Sequence, residues 1–224
     1  MASPLRRAKE EPETVAAFVN SAGIIRIFDA AAKNMSEGKT LLIDLDRVIG
    51  DGDLGITMEK GFQAAAQAAK LAEASLPGDI FIKAGMALIN SAPSTMGTLM
   101  GSGLMRGGKA LAGKNELAIK DMKAFLAAFI QGILERGKAK LGDKTLLDVL
   151  EPALREAEAY EGEDIAILWK KAEEGALKGI EEAKKMESQH GKAAVFREKT
   201  IGLEDPGGRA AYILIKSFVN ALDG

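Results

Sequence analysis

Apolar side chains recur at helical spacing along nearly the whole chain, and this periodicity constrains the fold more than any other feature. Ile165, Leu168, Trp169, Ala172, Ala176, Ile180 and Ala183 fall three or four residues apart, with Lys and Glu between them. That is one buried face of an amphipathic helix. The same spacing starts at Val15 and continues through Phe18, Val19, Ala22 and Ile25. It predicts further helices over roughly 58–71, 79–90, 94–111, 119–136, 145–160 and 208–222. Pro77-Gly78, Gly107-Gly108, Gly113, Gly142, Gly162 and Pro206-Gly207 mark the breaks. Only Leu41 to Leu45 reads as a strand, and it is too short for its period to separate it from a buried helical turn. With no strand–helix alternation, repeat or linker, the expected fold is all-α. It is a single domain of about eight antiparallel amphipathic helices forming a barrel or bundle.

Composition narrows the chemistry. The 224 residues carry 30 basic against 32 acidic side chains, a formal charge of -2. This balance gives no electrostatic reason to bind nucleic acid or an anionic membrane. No cysteine is present, which excludes disulfides and thiolate ligands and fits a reducing cytoplasm. No apolar run approaches the ~20 residues that span a bilayer. Residues 1–12 carry charges where a signal peptide needs an apolar stretch, so they are expected to be a flexible lead to a domain over 13–224. The single histidine, His190, rules out a multi-histidine zinc site. In the polar string Glu187 to Lys192 it reads as an exposed loop residue with no acid nearby to orient it.

Three places look wrong for pure structure. Between Leu41 and Gly55, Asp44, Asp46, Asp51 and Asp53 lie within ten residues, among Gly50, Gly52 and Gly55. Each carboxylate pair at ~5 Å costs roughly 3 kcal/mol at an effective dielectric of ~20. Such a loop is either a solvated Asp-Gly turn or a site held by a cation, and hard oxygen donors favour Mg or Ca. From Asn90 to Gly103, Pro93 suits a first helical turn, with the Ser94 and Thr95 hydroxyls beside free amides that attract phosphate. Alternatively, Gly97 and Gly101 simply let a neighbouring helix approach closely. Gly142-Asp-Lys-Thr145 with Asp148, and Asp205-Pro206-Gly207, each read equally as helix caps.

In this order the pieces resemble the nucleotide-binding L subunit of the dihydroxyacetone kinases, which is also the C-terminal domain of the single-chain enzymes. That family carries L-D-x4-D-x-D-H-G, a Gly-Ser-rich helix start, G-D-K-T with an Asp three further on, and a late D-P-G. Here these read Leu45-Asp46, Asp51, Asp53-Leu54-Gly55, then Pro93 to Gly97, Gly142 to Thr145 with Asp148, and Asp205 to Gly207. The resemblance implies an eight-helix barrel with a nucleotide at one rim. Asp46, Asp51 and Asp53 would hold two Mg ions against the phosphates of ADP or ATP. Leu54, Gly55, Ile56, Thr57, Thr95, Met96, Gly137, Leu146, Lys192, Asp205, Pro206 and Gly207 match nucleotide-contact positions, and Ser94 stands beside them. It further implies a separate K-type subunit that binds the ketose through a histidine. The nucleotide is recharged in place by a phosphotransferase-system phosphocarrier, or exchanged for ATP.

Three positions depart from the family pattern. Leu54 replaces the His of D-x-D-H-G, Met96 replaces a serine, and Lys192 replaces an arginine, losing a bidentate phosphate fork. The acceptor is accordingly expected to be dihydroxyacetone or another short ketose. A non-catalytic Mg-nucleotide-binding regulator is the alternative. The string Leu41 to Val48 also resembles the Asp-x-Asp strand of haloacid-dehalogenase phosphatases, which would require a parallel sheet.

Overall fold

The computed structural model describes residues 17–223, so the twelve-residue lead and the boundary at 13 lie outside the described residues. Nine α-helices are present among them: α1 Ser21–Glu37, α2 Lys39–Ile49, α3 Leu54–Leu71, α4 Pro77–Ser91, α5 Thr95–Ala110, α6 Ile119–Gly137, α7 Leu147–Ala159, α8 Ile165–Ala183 and α9 Pro206–Leu222. Two short 3-10 turns, Lys192–Val195 and Arg197–Thr200, interrupt the α8–α9 connection. The only sheet among the described residues pairs β1, Val19–Asn20, antiparallel with β2, Glu116–Leu117. None of these helices is long and apolar enough to cross a membrane.

Eight helices make a closed ring. α1 packs on α3, α3 on α4, α4 on α5, α5 on α6, α6 on α7, α7 on α8 and α8 on α9, and α9 returns to α1. Helix α2 lies over the seam, against α3 and α9. Helices amphipathic on one stripe can bury that stripe only against one another, and a closed ring satisfies all of them. The interior is aromatic. The Phe81 and Phe125 rings lie 4.2 Å apart, Phe28 meets Phe81 edge-on, and Trp169 stacks on Phe218 at 3.9 Å. Between α4 and α5 the backbones nearly touch, because a Cβ added at Gly85 or at Gly101 would come within 2.7 Å of the carbonyl oxygen of the other. The close-approach reading of Gly101 therefore holds.

Two local expectations change. Leu41 to Leu45 is helical, inside α2, with Leu42 buried and Leu41 exposed. Four apolar residues around Asp44 are compatible with either period over so short a stretch, and packing on α3 and α9 selects the helix. With no strand there and no parallel sheet among the described residues, the phosphatase reading falls. At the N-terminal end the helix starts at Ser21, capped by the Asn20 side chain, which accepts from the Gly23 amide at 3.1 Å. Phe18 is exposed, Val19 belongs to β1, and the buried face of α1 runs through Ile24, Ile27, Phe28, Ala31 and Met35.

Trp169 is among the largest fully buried side chains and joins α8 to α9 through its stack on Phe218. Trp169→Ala is expected to lower unfolding free energy by about 3–5 kcal/mol, read from urea transitions. A loss below about 1 kcal/mol would contradict the packed interior.

Candidate metal and phosphate site

The α2–α3 connection is shaped around Asp46. This residue sits in the last turn of α2, and its Oδ2 accepts from the amides of Asp53 at 3.0 Å and Leu54 at 3.3 Å. One aspartate thus caps the next helix and turns the chain back on itself. The turn requires glycine at two positions. A Cβ at Gly50 would lie 2.1 Å from Asp46 Oδ1, and Gly52 has φ +74°, in the left-handed region that side chains rarely adopt. As a result Asp46, Asp51 and Asp53 each present a carboxylate oxygen, all within 4.8 Å of one another. Asp44 is excluded from this group: it pairs with Arg47 on the exposed face of α2.

Three converging carboxylates need positive charge. At these separations each pair repels by about 3 kcal/mol at an effective dielectric of ~20. Among the described residues, the Lys192 ammonium donates to Asp51 Oδ2 from the far side of the cleft. That leaves more negative charge than one ammonium balances. An all-oxygen set of this kind fits a hard divalent cation such as Mg2+.

Two more helix starts face the same cleft. At α5, Ser94 Oγ accepts from the Gly97 amide at 3.0 Å, so this hydroxyl is committed to capping while Thr95 and Met96 open the first turn. At α9, Asp205 Oδ2 accepts from the Gly208 amide at 2.6 Å, with Pro206 at the first helical position. Met96 bridges the two, because its Cε lies against the Gly207 backbone where a Cβ would sit 2.7 Å away. Helix N-termini carry unpaired amides and positive dipole ends, which suits anionic groups.

The Gly142-to-Thr145 string does more than cap α7. Asp148 accepts from the amides of Gly142 at 2.6 Å and Thr145 at 2.8 Å, forming a knot at the start of the helix. Lys144 is only 2% exposed, and its ammonium donates to the carbonyls of Met186 and Thr200. Burial lowers its pKa, and the nearby Asp205 carboxylate acts against that shift. Asp143 Oδ2 accepts from the Lys140 amide at 2.9 Å and is hydrogen-bonded to His190 Nε2 at 2.7 Å. The α6–α7 and α8–α9 connections are thereby fastened together. His190 is consequently not the unoriented loop residue expected from the sequence; an acid 47 positions away in the chain fixes its ring.

The cleft measures about 320 Å³. Its walls include Asp46, Asp51, Asp53, Leu54, Thr57, Ser94, Thr95, Met96, Leu146, Lys192, Asp205, Pro206 and Gly207. Three of the expected residues stand apart. Gly55 is buried against α2, where a Cβ would meet the Lys39 carbonyl at 2.2 Å, Ile56 faces solvent, and Gly137 lines an adjoining groove with Thr98 and Leu99. Six side chains in the walls were not among the expected contacts: Ile49, Leu99, Lys144, Thr145, His190 and Ala193. Leu99 follows Thr95 by one helical turn, a spacing that could have been read. The signal for His190 was its position two residues from Lys192.

Known proteins resemble this chain. The DAK2 domain family matches residues 48–220. The ADP-binding subunit DhaL of PEP-dependent dihydroxyacetone kinase 1 from Listeria innocua is 28% identical over 195 residues, 87% of this chain and 93% of that protein. Its counterpart in Escherichia coli is 27% identical over 177 residues, 78% of this chain and 84% of that protein. The L-erythrulose 1-kinase of Mycolicibacterium smegmatis is 32% identical over 203 residues, but these cover 34% of its length. The dihydroxyacetone kinase of C. freundii, solved with AMP-PNP and Mg2+, superposes with a TM-score of 0.65 at 21% identity, over 98% of this chain and 38% of that one. That likeness shows the shared fold.

Asp205 provides a pH test of the site. Desolvation raises its carboxyl to about 7, against the lowering effects of the Gly208 amide and Lys144. An unfolded aspartate titrates near 3.9, so the folded state holds this proton more tightly. The resulting stability is fully present below about pH 4 and is lost as pH rises through about 7. Asp205→Asn keeps a capping side chain without the titration. In chelator, wild-type stability should fall relative to Asp205→Asn between pH 4 and 7 in urea melts. Parallel curves would contradict the raised carboxyl.

Proposed function

The chain belongs to the DAK2 domain family, and we propose that it is the Mg-ADP/ATP-binding, phosphoryl-transferring subunit of a kinase for dihydroxyacetone or a related short ketose. One observation carries this reading: three carboxylates, two helix N-termini and a lysine meet in a single cleft. Carboxylates alone would suit a cation and helix starts alone an anion. Together they suit an anion bound through a divalent metal. Asp46, Asp51 and Asp53 would hold the metal, two Mg ions in this reading. Magnesium supplies charge neutralisation and polarisation of the transferring phosphoryl group.

The protein's own groups do the rest. The first-turn amides at Thr95, Met96 and Gly207 face the phosphates, and Lys192 donates to them. Leu54, Met96, Leu99 and Leu146 line the cleft with apolar surface. Such surface excludes water from the phosphates and suits the faces of a base. Ser94 and Asp205 act indirectly, by holding the two helix starts in place.

Nothing in this cleft is dedicated to a sugar, which supports a separate K-type partner that holds the ketose. Exposed apolar side chains near the mouth, Val48 and Ile56 beside the aspartate loop and Val195 and Phe196 on the opposite strap, offer a docking rim. Recharging by a phosphotransferase-system phosphocarrier or exchange for ATP are both compatible with so open a site. A second reading, a Mg-nucleotide-binding regulator without transfer, is favoured by two specific residues. Leu54 is packed into the core and Met96 against Gly207, so neither contributes a polar group to the phosphates.

Calorimetry is expected to show ADP binding with Mg2+ and essentially none in chelator, because ADP adds roughly three negative charges to a loop holding three. Asp53→Asn should weaken binding by more than the ~10–100-fold typical of outer-shell losses. Equal affinity with and without Mg2+ would refute the metal assignment. In a coupled assay with ATP, Mg2+ and dihydroxyacetone or erythrulose, the purified chain alone should show no useful turnover, since the acceptor is not held in line. Robust turnover that survives His190→Ala would overturn the subunit reading, and transfer on adding a K-type partner would exclude the regulator.

A further inference from the structure

The Lys192–Asp51 bridge spans 141 positions of sequence and joins two groups with different assigned tasks. Asp51 is one of the three converging carboxylates, and Lys192 is the residue proposed to meet phosphate. The two cannot use the same Asp51 oxygen at once. A divalent cation would take it at about 2.0–2.1 Å, where the ammonium now donates to Oδ2.

The segment carrying Lys192 is otherwise loosely attached. It is fastened at both ends. On one side the Ser188 amide donates to Thr200 Oγ1 at 2.9 Å and the Gln189 amide to the Asp143 carbonyl at 3.0 Å. On the other, the Gly202 amide donates to the Lys184 carbonyl at 2.7 Å. Between these anchors, the Lys192–Val195 turn has no buried residue, Val195 is 83% exposed, and Gly191 and Arg197 have φ of +64° and +47°. Among the described hydrogen bonds and ion pairs, Lys192–Asp51 is the one that ties residues 191–199 to the body across the cleft.

We infer that Lys192 is the resident counter-ion of the aspartate site and a latch on the 191–199 strap: a divalent cation displaces it from Asp51, which frees the strap and releases the ammonium for phosphate. This rests on the metal assignment made above and adds an order of events to it. With no cation the strap is pinned across the mouth by its lysine. With a cation bound, the ammonium is repelled from the aspartates and is drawn to whatever anion the cation brings. Metal loading and release of the strap that carries Val195 and Phe196 become one step.

The experiment uses the full chain without nucleotide. Lys192→Met keeps length and apolar stem but removes the charge. Mn2+ alone, titrated by electron paramagnetic resonance, should bind Lys192→Met about threefold or more tighter than wild type, because the competing ammonium is gone. Hydrogen exchange of residues 191–199 in wild type should accelerate on adding Mg2+ alone. In Lys192→Met it should already be fast and indifferent to Mg2+. Mg-ADP should respond in the opposite direction, weakening in Lys192→Met. Equal Mn2+ affinity in the two proteins, with exchange unchanged by Mg2+, would overturn the latch while leaving the metal site in place. Absence of Mn2+ binding to either protein would overturn both.

Discussion

Closure of the helical ring is the constraint on which the rest depends. Helix α9 must pack on α8 and on α1 at once, and it is apolar on both sides, burying Ala210, Ala211, Ile213, Leu214, Phe218 and Leu222. Because the last helix meets the first, residues from the two ends of the chain stand side by side. The start of α9 is brought beside the aspartate loop that precedes α3, and the start of α5 faces them. A cleft lined from the aspartate loop, the start of α5, residues 144–146, residues 190–193 and residues 205–207 exists only because the ring is shut. Cutting the chain anywhere in the ring would separate carboxylates from helix starts, even where each helix kept its own propensity.

The end of the barrel is held by polar groups rather than by more apolar surface. Lys144 is the central example. A buried ammonium is costly unless its protons are satisfied, and here two carbonyls from the α8–α9 connection accept from it while Asp205 stands near. This arrangement fixes two long connections relative to each other, which aliphatic contacts in a loop region would do with less geometric definition. The Asp143–His190 hydrogen bond continues the same seam to the surface. Beyond it lies the strap bearing Lys192, tied across the cleft by the bridge to Asp51.

Much of this was legible from residue spacing. The helices from α3 onward announce themselves by period, with ends shifted by a few residues, and the triple-aspartate loop by charge density. Within the loop, the difference between Leu54 or Thr57 and Gly55 or Ile56 follows from the helix that begins at Leu54. Residues 54 and 57 share a face, whereas 55 and 56 are turned about 100° and 200° from the first. Matching a motif position by position does not carry that rotation, so contacts were expected at all four. The Asp143–His190 pair and the burial of Lys144 were not readable, because both depend on how two distant connections fold over each other. Leu41 to Leu45 failed for a different reason: four apolar residues around Asp44 fit either period, and only the neighbours α3 and α9 decide.

The apolar replacements Leu54 and Met96 can be understood from the same geometry. The Leu54 amide, with that of Asp53, is claimed by Asp46, and the Leu54 side chain packs into the core at the edge of the cleft, so a polar group there would have to leave that packing. Met96 spans from α5 to the backbone of Gly207, filling the gap between two helix starts with a flexible thioether. Both changes exchange a side-chain donor for packing, at Met96 beside the first-turn amides of α5 and at Leu54 where the amide is already held by Asp46. In the proposed site, phosphate recognition would rest on amides and metal more than on side chains. The caps Ser94 and Asp205 orient the helix starts, and the aspartate turn orients the carboxylates. A site built this way tolerates changes in its apolar walls but depends sharply on Gly50 and Gly52, since the aspartate turn has no other way to form.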